Sequence, residues 1–211
     1  MTTMRPSLSR LRMATYQAIT AVTQAIIYLL QADYEANMVD AFTSELEFAV
    51  YSPDNFITPI DAGVSLFLYR IFPNDAHRTP PGRIAPNGQR YHPQLPVDLH
   101  FLLTAWGRSA SLQQSIAGWM MRVIEDTPIM PVGLLNRVMP DVFTSSETVE
   151  LTLGDLNTDD LLHLWETLPQ QKYQLSVPYM ARNVRIESTR LPAVGEPVQQ
   201  RTFDYQQVEN E

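Results

Sequence analysis

The stretch that decides the fold is residues 97–130, VDLHFLLTAWGRSASLQQSIAGWMMRVIEDTPIM. Its first part alternates between apolar and other residues at Val97, Leu99, Phe101 and Leu103, which predicts a β-strand. The alternation breaks at Gly107, after which apolar residues return every three or four positions. A strand followed by an amphipathic helix is therefore predicted, with no nucleophile, metal cluster or phosphate loop between them. This pattern favours a protein that assembles over one that catalyses.

The predicted helix starts near Ser111, because Ser111 and Gln114 have the spacing of a capping box. Its apolar face is formed by Leu112, Ile116, Trp119, Met120 and Val123, and Pro128 limits its end.

Composition narrows the function classes. The chain has 211 residues and a net charge of −8, which argues against nucleic-acid binding because phosphate neutralisation needs a concentrated basic surface. The absence of cysteine excludes disulfides and thiolate metal sites. Lys172 is the one lysine beside 14 arginines; arginine suits interfaces because its planar fork pairs with carboxylates, although coding bias explains the ratio equally well.

Three regions are expected: a flexible basic N-terminal arm at residues 1–13, one domain at 14–188, and a polar C-terminal tail at 189–211. Apolar residues at helical spacing predict a helix over 14–32 that packs on a sheet. The arginines ahead of it resemble a signal peptide, but threonines and glutamines interrupt the apolar segment, which favours a cytosolic helix. No apolar run approaches the roughly 20 residues that span a bilayer.

Further strands follow from alternation. Leu46, Phe48 and Val50 predict a half-buried strand whose neighbouring glutamates face solvent, and residues 64–72 predict a central strand. A strand is also predicted at Val149, Leu151 and Leu153, and Thr158 is expected to cap a short helix that ends near Leu168 with Asp159 and Asp160 in its first turn. The last strand covers 174–187, and Pro178 predicts that it is an edge strand or bulged there.

Two connections are rich in proline. Residues 73–96 follow the strand predicted at 64–72, contain six prolines and are expected to be irregular. Residues 127–146 form the second connection. The first is locally basic within an acidic chain, since it carries Arg78, Arg83, Arg90, His77 and His92.

Candidate chemistry is sparse. Asp98 and His100 share one face of a strand and could form an acid–base pair, although a polar sheet surface explains them as well. Asp75, His77 and His92 could bind a metal, but their spacing is unspecific. The three tryptophans and Met120–Met121 are more typical of core than of a pocket. No catalytic, cofactor or metal residue is therefore assigned, and no enzyme activity is predicted.

Three segments together resemble the cap, or tail-terminator, family of contractile injection systems, which are phage-tail-like particles. They are VSLFLYRIFPNDAHR (64–78), LPVDLHFLLTAWGRSASLQQSIAGWMMRVIEDTPIM (95–130) and VELTLGDLNTDDLLHLWETLPQQKYQLSVPYMARNVRI (149–186). The most specific pieces are LFLYRIFPN, LxxLLTAW, LxxLWxTL and YxLSVPYMARxVRIES. The resemblance covers roughly residues 14–188, and larger family members carry additional C-terminal material.

The resemblance implies an α/β protein of the α+β type, with a mixed, mostly antiparallel sheet flanked by helices. It implies a structural cap that forms a hexameric ring on the last inner-tube and sheath layers, ends polymerisation and fixes the terminal sheath ring. The implied partners are other copies of the chain and the inner-tube and sheath proteins, with cytoplasmic assembly and no cofactor. The alternatives are an accessory or baseplate component of the same particle and, from another class, a small enzyme or ligand-binding protein.

Two surfaces are candidates for contacts within such a particle. The basic loop with Arg78, Arg83 and Arg90 suits an acidic tube surface, and the predicted edge strand, with Leu175, Val177 and Tyr179, suits strand exchange with a neighbour. The sequence leaves open whether the particle is released, cytosolic or membrane-tethered.

Overall fold

A computed structural model describes residues 15–42, 44–77, 83–84, 90–169, 172–188 and 190. The predicted arm at 1–13 and the predicted tail, apart from Arg190, lie outside these residues.

Four α-helices and eight strands are described. The helices are α1 (Ala18–Asp33), α2 (Ala110–Asp126), α3 (Val132–Val138) and α4 (Thr158–Thr167). The strands are β1 (Glu47–Tyr51), β2 (Gly63–Pro73), β3 (Arg83–Ile84), β4 (Arg90–Tyr91), β5 (Leu95–Trp106), β6 (Ile129–Met130), β7 (Val149–Leu153) and β8 (Ser176–Ile186). A π-helical turn at Tyr34–Met38 follows α1, and short 3-10 turns lie at Pro53–Phe56 and Asp75–His77.

Six strands form one sheet in the order β1-β2-β5-β8-β7-β6, and β3 and β4 form a separate small ribbon. β1 and β2 are parallel, and every other pair is antiparallel. The predicted mixed, mostly antiparallel sheet with flanking helices is therefore confirmed. The predicted central strand at 64–72 is also confirmed, since β2 lies between β1 and β5.

Both faces of the sheet are covered, which explains why β5 reads as a nearly continuous apolar run. Leu99, Phe101 and Leu103 face a large core that also contains buried residues of α1, α2 and α3. Leu102 and Trp106 face a second, smaller core, whose other buried members are Tyr51, Phe56, Trp165 and Leu168. Because both faces are occupied, the edges of the sheet are the places where its backbone can accept a further strand.

The parallel contact between β1 and β2 depends on Gly63. Its φ is +143°, and a Cβ added there would lie 1.9 Å from the carbonyl oxygen of Glu47. Only glycine allows the backbones to approach this closely at that φ.

Both predicted helix caps are displaced from the observed ones. The N-cap of α2 is Ser109, whose hydroxyl accepts a hydrogen bond from the Leu112 amide at 3.2 Å. The N-cap of α4 is Asn157, whose Oδ1 accepts from the Asp160 amide at 2.8 Å. In each case the capping side chain belongs to the extended residue just before the helix, and the predicted cap at Ser111 or Thr158 lies inside it. Asp159 and Asp160 do lie in the first turn of α4, as predicted.

The prediction that the last strand is an edge strand is wrong for its paired part, which includes Tyr179, whereas strand exchange at Leu175 and Val177, beyond the end of β7, stays a prediction. β8 pairs with β5 on one side and with β7 on the other, and Tyr179 is only 1% exposed. Pro178 is tolerated because its backbone groups point toward the end of β7. Its carbonyl accepts a hydrogen bond from the Gly154 amide there, at 2.9 Å. Its missing donor therefore faces the point where β7 ends.

The proline-rich connections contain short elements that the sequence pattern did not predict. Residues 73–96 include the β3–β4 ribbon, and residues 127–146 include β6 and α3. α3 forms despite its valines and glycine because Leu135 is completely buried against the main core. Tertiary packing thus outweighs weak local propensity here.

Candidate assembly surfaces

The outer edge of β1 is one end of the six-stranded sheet. The Glu47 amide donates to the Ala62 carbonyl at 3.0 Å, so Glu47 directs its backbone groups toward β2. Since these directions alternate along a strand, Phe48 and Val50 direct theirs away from the sheet. Leu46, just before β1, also directs its amide outward, and this amide donates a hydrogen bond to the Tyr34 hydroxyl at 3.3 Å. β1 is therefore an edge with outward-facing backbone groups.

A groove of about 440 Å³ runs beside this edge, and we call it the β1 groove. The described residues that line it include two carboxylates and no cation; they are Gln31, Tyr34, Glu35, Val39, Phe42, Ser44, Glu45, Leu46 and Phe48. The side chain of Val39 is 52% exposed and adds an apolar surface to the groove. The groove thus combines an apolar floor with an acidic rim.

An aromatic cluster forms the floor of the β1 groove. Tyr34 packs against Phe42 and Phe48 with ring centroids 6.3 and 5.5 Å apart, and Trp119 meets all three rings edge-on at 5.9–6.3 Å. The Trp119 indole donates to Asp33 at 2.8 Å, which fixes the ring from α2 against the end of α1. The floor is therefore held in place by contacts among α1, β1 and α2.

A second opening lies where β8 extends beyond β7. β7 begins at Val149, opposite residues near Arg182, whereas β8 continues to Ile186. A polar cleft of about 530 Å³ occupies the missing strand's place, lined by residues 143–149 on one side and by Asn183, Arg185, Glu187 and Gln94 on the other. The buried Oδ1 of Asn183 has no hydrogen-bond partner. The cleft can therefore take polar groups from an added segment.

The structure describes only part of the basic loop. Arg78 and the side chain of Arg83 lie outside the described residues, whereas Arg90 is exposed at the start of β4. Arg83 pairs with Tyr91 across the β3–β4 ribbon, so the ribbon places Arg83 and Arg90 on neighbouring strands. Contact of this loop with another protein stays a prediction.

Asp98 and His100 are not arranged as an acid–base pair. Asp98 accepts hydrogen bonds from the Asn183 amide at 2.7 Å and from the Asn74 side chain at 2.9 Å. His100 packs against Tyr69, with ring centroids 6.0 Å apart. Burial, with a smaller contribution from Arg70, lowers the pKa of His100, and Asp98 opposes the shift. The carboxylate therefore holds three strands together.

The other candidate chemical groups also have structural surroundings. Among the described residues no cluster of three potential metal ligands occurs, and the His77 ring contacts Asn74 at 3.1 Å. Trp106 and Trp165 are buried in the smaller core and Met120 in the larger one, as the sequence favoured. Within the part of the chain that the structure describes, no helix is both long and apolar enough to cross a bilayer.

Two solved structures share this fold. The sheath/tube terminator, in its extended state, of the extracellular contractile injection system PVC matches with a TM-score of 0.55 and 16% identity, over 87% of this chain and 64% of that one. The tube-terminating cap of the anti-feeding prophage matches with a TM-score of 0.55 and 18% identity, over 87% and 60%. The chain thus spans less than two thirds of either protein. No protein with curated annotation matches it.

The fold is therefore that of the tube-terminator type of α+β domain. The family model described as the Pvc16 N-terminal domain matches residues 21–200, which is most of the chain. The chain belongs to the Pvc16 N-terminal domain family, and the resemblance to tail terminators is confirmed.

Proposed function

We propose that this chain is a structural cap that ends the inner tube and sheath of a contractile injection particle. The observation that carries the proposal is the family match over residues 21–200, together with the fold shared with a sheath/tube terminator and a tube-terminating cap. The surroundings of Asp98 and His100 agree with a structural role. The Asp98 carboxylate accepts a hydrogen bond from the Asn183 amide, and the His100 ring packs against Tyr69. The chain acts in this account through surfaces and has no catalytic role.

The cap is a hexameric ring in this proposal. A cyclic ring needs two different, complementary surfaces on each subunit, and its closure prevents further growth. The β1 groove and the polar cleft lie at different parts of the sheet, since the first borders β1 and the second borders β7 and β8. Each opening offers a place for a segment of a neighbouring subunit, as head-to-tail contacts around a ring require.

The basic loop is the proposed contact with the tube. Arg78, Arg83 and Arg90 would face an acidic tube surface, where arginine pairs bidentately with carboxylates. Reversing all three charges, with Arg78→Glu, Arg83→Glu and Arg90→Glu, should abolish capping. A control with the same net charge, Arg108→Glu, Arg122→Glu and Arg190→Glu, changes exposed arginines elsewhere and should cap normally. Equal capping by both triple variants would refute the loop contact.

The position of the chain on the particle separates a cap from a baseplate or accessory component. A small epitope tag at the C-terminus, labelled with gold and imaged by electron microscopy, should mark the end of the tube opposite the baseplate. Label at the baseplate, or along the sheath, would contradict the proposal. The labelled chain must support normal particles, which is checked in the same images.

A further inference from the structure

The two sides of the β1 edge have opposite chemical character. Glu47, the first residue of β1, and Glu45, two residues before it, are both exposed, whereas Leu46 and Phe48 lie toward the large core and the aromatic cluster. A strand added to this edge would continue both faces, because side chains alternate in register across a pleated sheet. Its ideal sequence would alternate cations with apolar residues.

Residues 9–13 of this chain have that alternation. In an extended segment Arg10 and Arg12 project to one face, and Leu11 and Met13 project to the other. Placed beside β1, the arginines would lie opposite the two glutamates and the apolar pair would extend the Phe48 face. Opposite charges in cross-strand positions stabilise a sheet, and apolar pairs on the same face do so as well.

Charge also favours this segment as the occupant. Residues 1–13 contain three arginines and no acidic residue, in a chain whose net charge is −8. The β1 groove contributes Glu35 and Glu45 at its rim, and Glu47 lies next to them in β1. A basic segment and an acidic edge of the same chain are thus complementary.

The position of the arm points to a second copy. The arm joins the domain before Ala18, at the start of α1, whereas the β1 groove contacts Gln31 and Tyr34 at its end, about 24 Å away along the helix. The five steps from Met13 to Ala18 span at most about 18 Å, so the proposed strand falls short of the groove of its own subunit and meets the groove of a neighbour. This gives the head-to-tail contact that a closed ring needs.

We propose that residues 9–13 of one copy add as a strand to the outer edge of β1 in a second copy, with Arg10 and Arg12 on the Glu45–Glu47 face and Leu11 and Met13 on the Phe48 face. The occupant of the groove is thus this chain's own N-terminal arm, exchanged between neighbours. The inference deepens the proposed ring and rests on it.

Disulfide crosslinking tests the contact in the full chain, because the natural sequence has no cysteine. One protein carries Ser44→Cys in the β1 groove. A second carries Ser9→Cys, and a third carries Ala14→Cys, so that one end of the segment meets residue 44 whichever way the added strand runs. Mixing the first protein with either of the others under mild oxidation makes a heterodimer only if the arm of one copy reaches the groove of another. Thr158→Cys, exposed at the start of α4 and outside both the β1 groove and the polar cleft, replaces Ser44→Cys as the matched control.

The expected result is a heterodimer that forms about tenfold faster with Ser44→Cys than with Thr158→Cys, because docking raises the local thiol concentration. Adding Glu45→Gln and Glu47→Gln to the groove protein should slow it toward the control rate, whereas Asp155→Asn and Glu166→Gln should not. Equal rates for Ser44→Cys and Thr158→Cys would overturn the proposal. So would a double variant, Ser9→Cys or Ala14→Cys with Ser44→Cys, that crosslinks only within one chain.

The same samples separate this inference from the ring itself. Native mass measurement reports whether the uncrosslinked chain forms hexamers. Hexamers without selective crosslinking would refute the arm contact and leave the ring intact. Monomers that also fail to crosslink would refute both.

Discussion

Asp98 links Asn183, at the register shift between β5 and β8, to Asn74, the residue that follows β2. Its Oδ1 accepts from the backbone N–H of Asn183 at 2.7 Å, where Asn183 has a φ of +55° and the register of β5 against β8 shifts. Its Oδ2 accepts from Asn74, which follows β2. One carboxylate therefore joins β2, β5 and β8 at the end of the sheet nearest the basic loop.

Replacing this carboxylate should weaken the fold. Asp98→Ala leaves the Asn183 amide and the Asn74 side chain without their acceptor, which should lower the free energy of unfolding by about 2 kcal/mol, the usual scale for hydrogen bonds to a charged group. Urea denaturation measures the change. Asp155→Ala, at an exposed position outside the helices and strands, is the control and should be close to neutral. Equal losses for the two variants would contradict the assigned role of Asp98.

A substitution at one residue, Gly63, tests the parallel pairing of β1 and β2. Gly63→Ala forces a methyl group to within 1.9 Å of the Glu47 carbonyl at a φ that alanine rarely adopts, so it should cost roughly 3 kcal/mol or more. Gly118→Ala in α2 is the matched control, since its added Cβ meets no atom within 4 Å. That variant should be more stable by about 0.5–1 kcal/mol, because alanine favours helix. A tolerated Gly63→Ala would mean that β1 does not pair as described.

Two tyrosine hydroxyls should respond differently to removal. The buried Tyr179 hydroxyl has no hydrogen-bond partner, and burial raises the Tyr179 pKa to about 12, with a smaller effect from Glu125. Tyr179→Phe should therefore leave stability unchanged or slightly higher. The Tyr51 hydroxyl accepts from the Ile60 amide at 2.8 Å, so Tyr51→Phe should cost about 1 kcal/mol. Chemical denaturation of both variants checks the contrast, and the reverse order would contradict it.

His100 should make stability depend on pH. Burial, with Arg70, holds the pKa of His100 below its ordinary value of 6.5, so the unfolded chain takes up this proton first as the pH falls. The stability of the wild type relative to His100→Gln should therefore be constant above the unfolded pKa and decline between about pH 7 and pH 5. Denaturation curves over this pH range measure the difference in the free energy of unfolding between the two proteins. The contributions of the other histidines are the same in both and cancel. A wild type that becomes more stable relative to His100→Gln on acidification would contradict the lowered pKa of His100.

Local patterns predicted most of the elements but not how they are arranged. The alternation in β5 and the helical spacing in α2 each depend on one element packing against a core, which is why both were predictable. The position of β8 was not, because Pro178 is compatible with an interior strand when a neighbour ends opposite it. That condition depends on where β7 ends at Leu153, about 25 residues earlier in the chain.

For the candidate surfaces, too, the residues could be read from the sequence but their arrangement could not. The acidic pair Glu45 and Glu47 and the basic arm are visible in the sequence, but their complementarity depends on β1 being an edge strand, which only the topology shows. The aromatic floor joins four rings from four places in the chain: Tyr34 in the π-helical turn after α1, Phe42 in the segment before β1, Phe48 in β1 and Trp119 in α2. Sequence spacing favoured a core position for Trp119 but carried no signal for the other three rings as a group.

The central claim is that this chain ends the tube, and the length distribution of particles tests it most directly. Particles from cells that lack the gene are compared by electron microscopy with wild-type particles and with particles from cells in which the gene is restored. We expect overlong or unsheathed tubes without a terminal cap in the deletion and normal lengths on restoration. Normal lengths with intact caps in the deletion would contradict it.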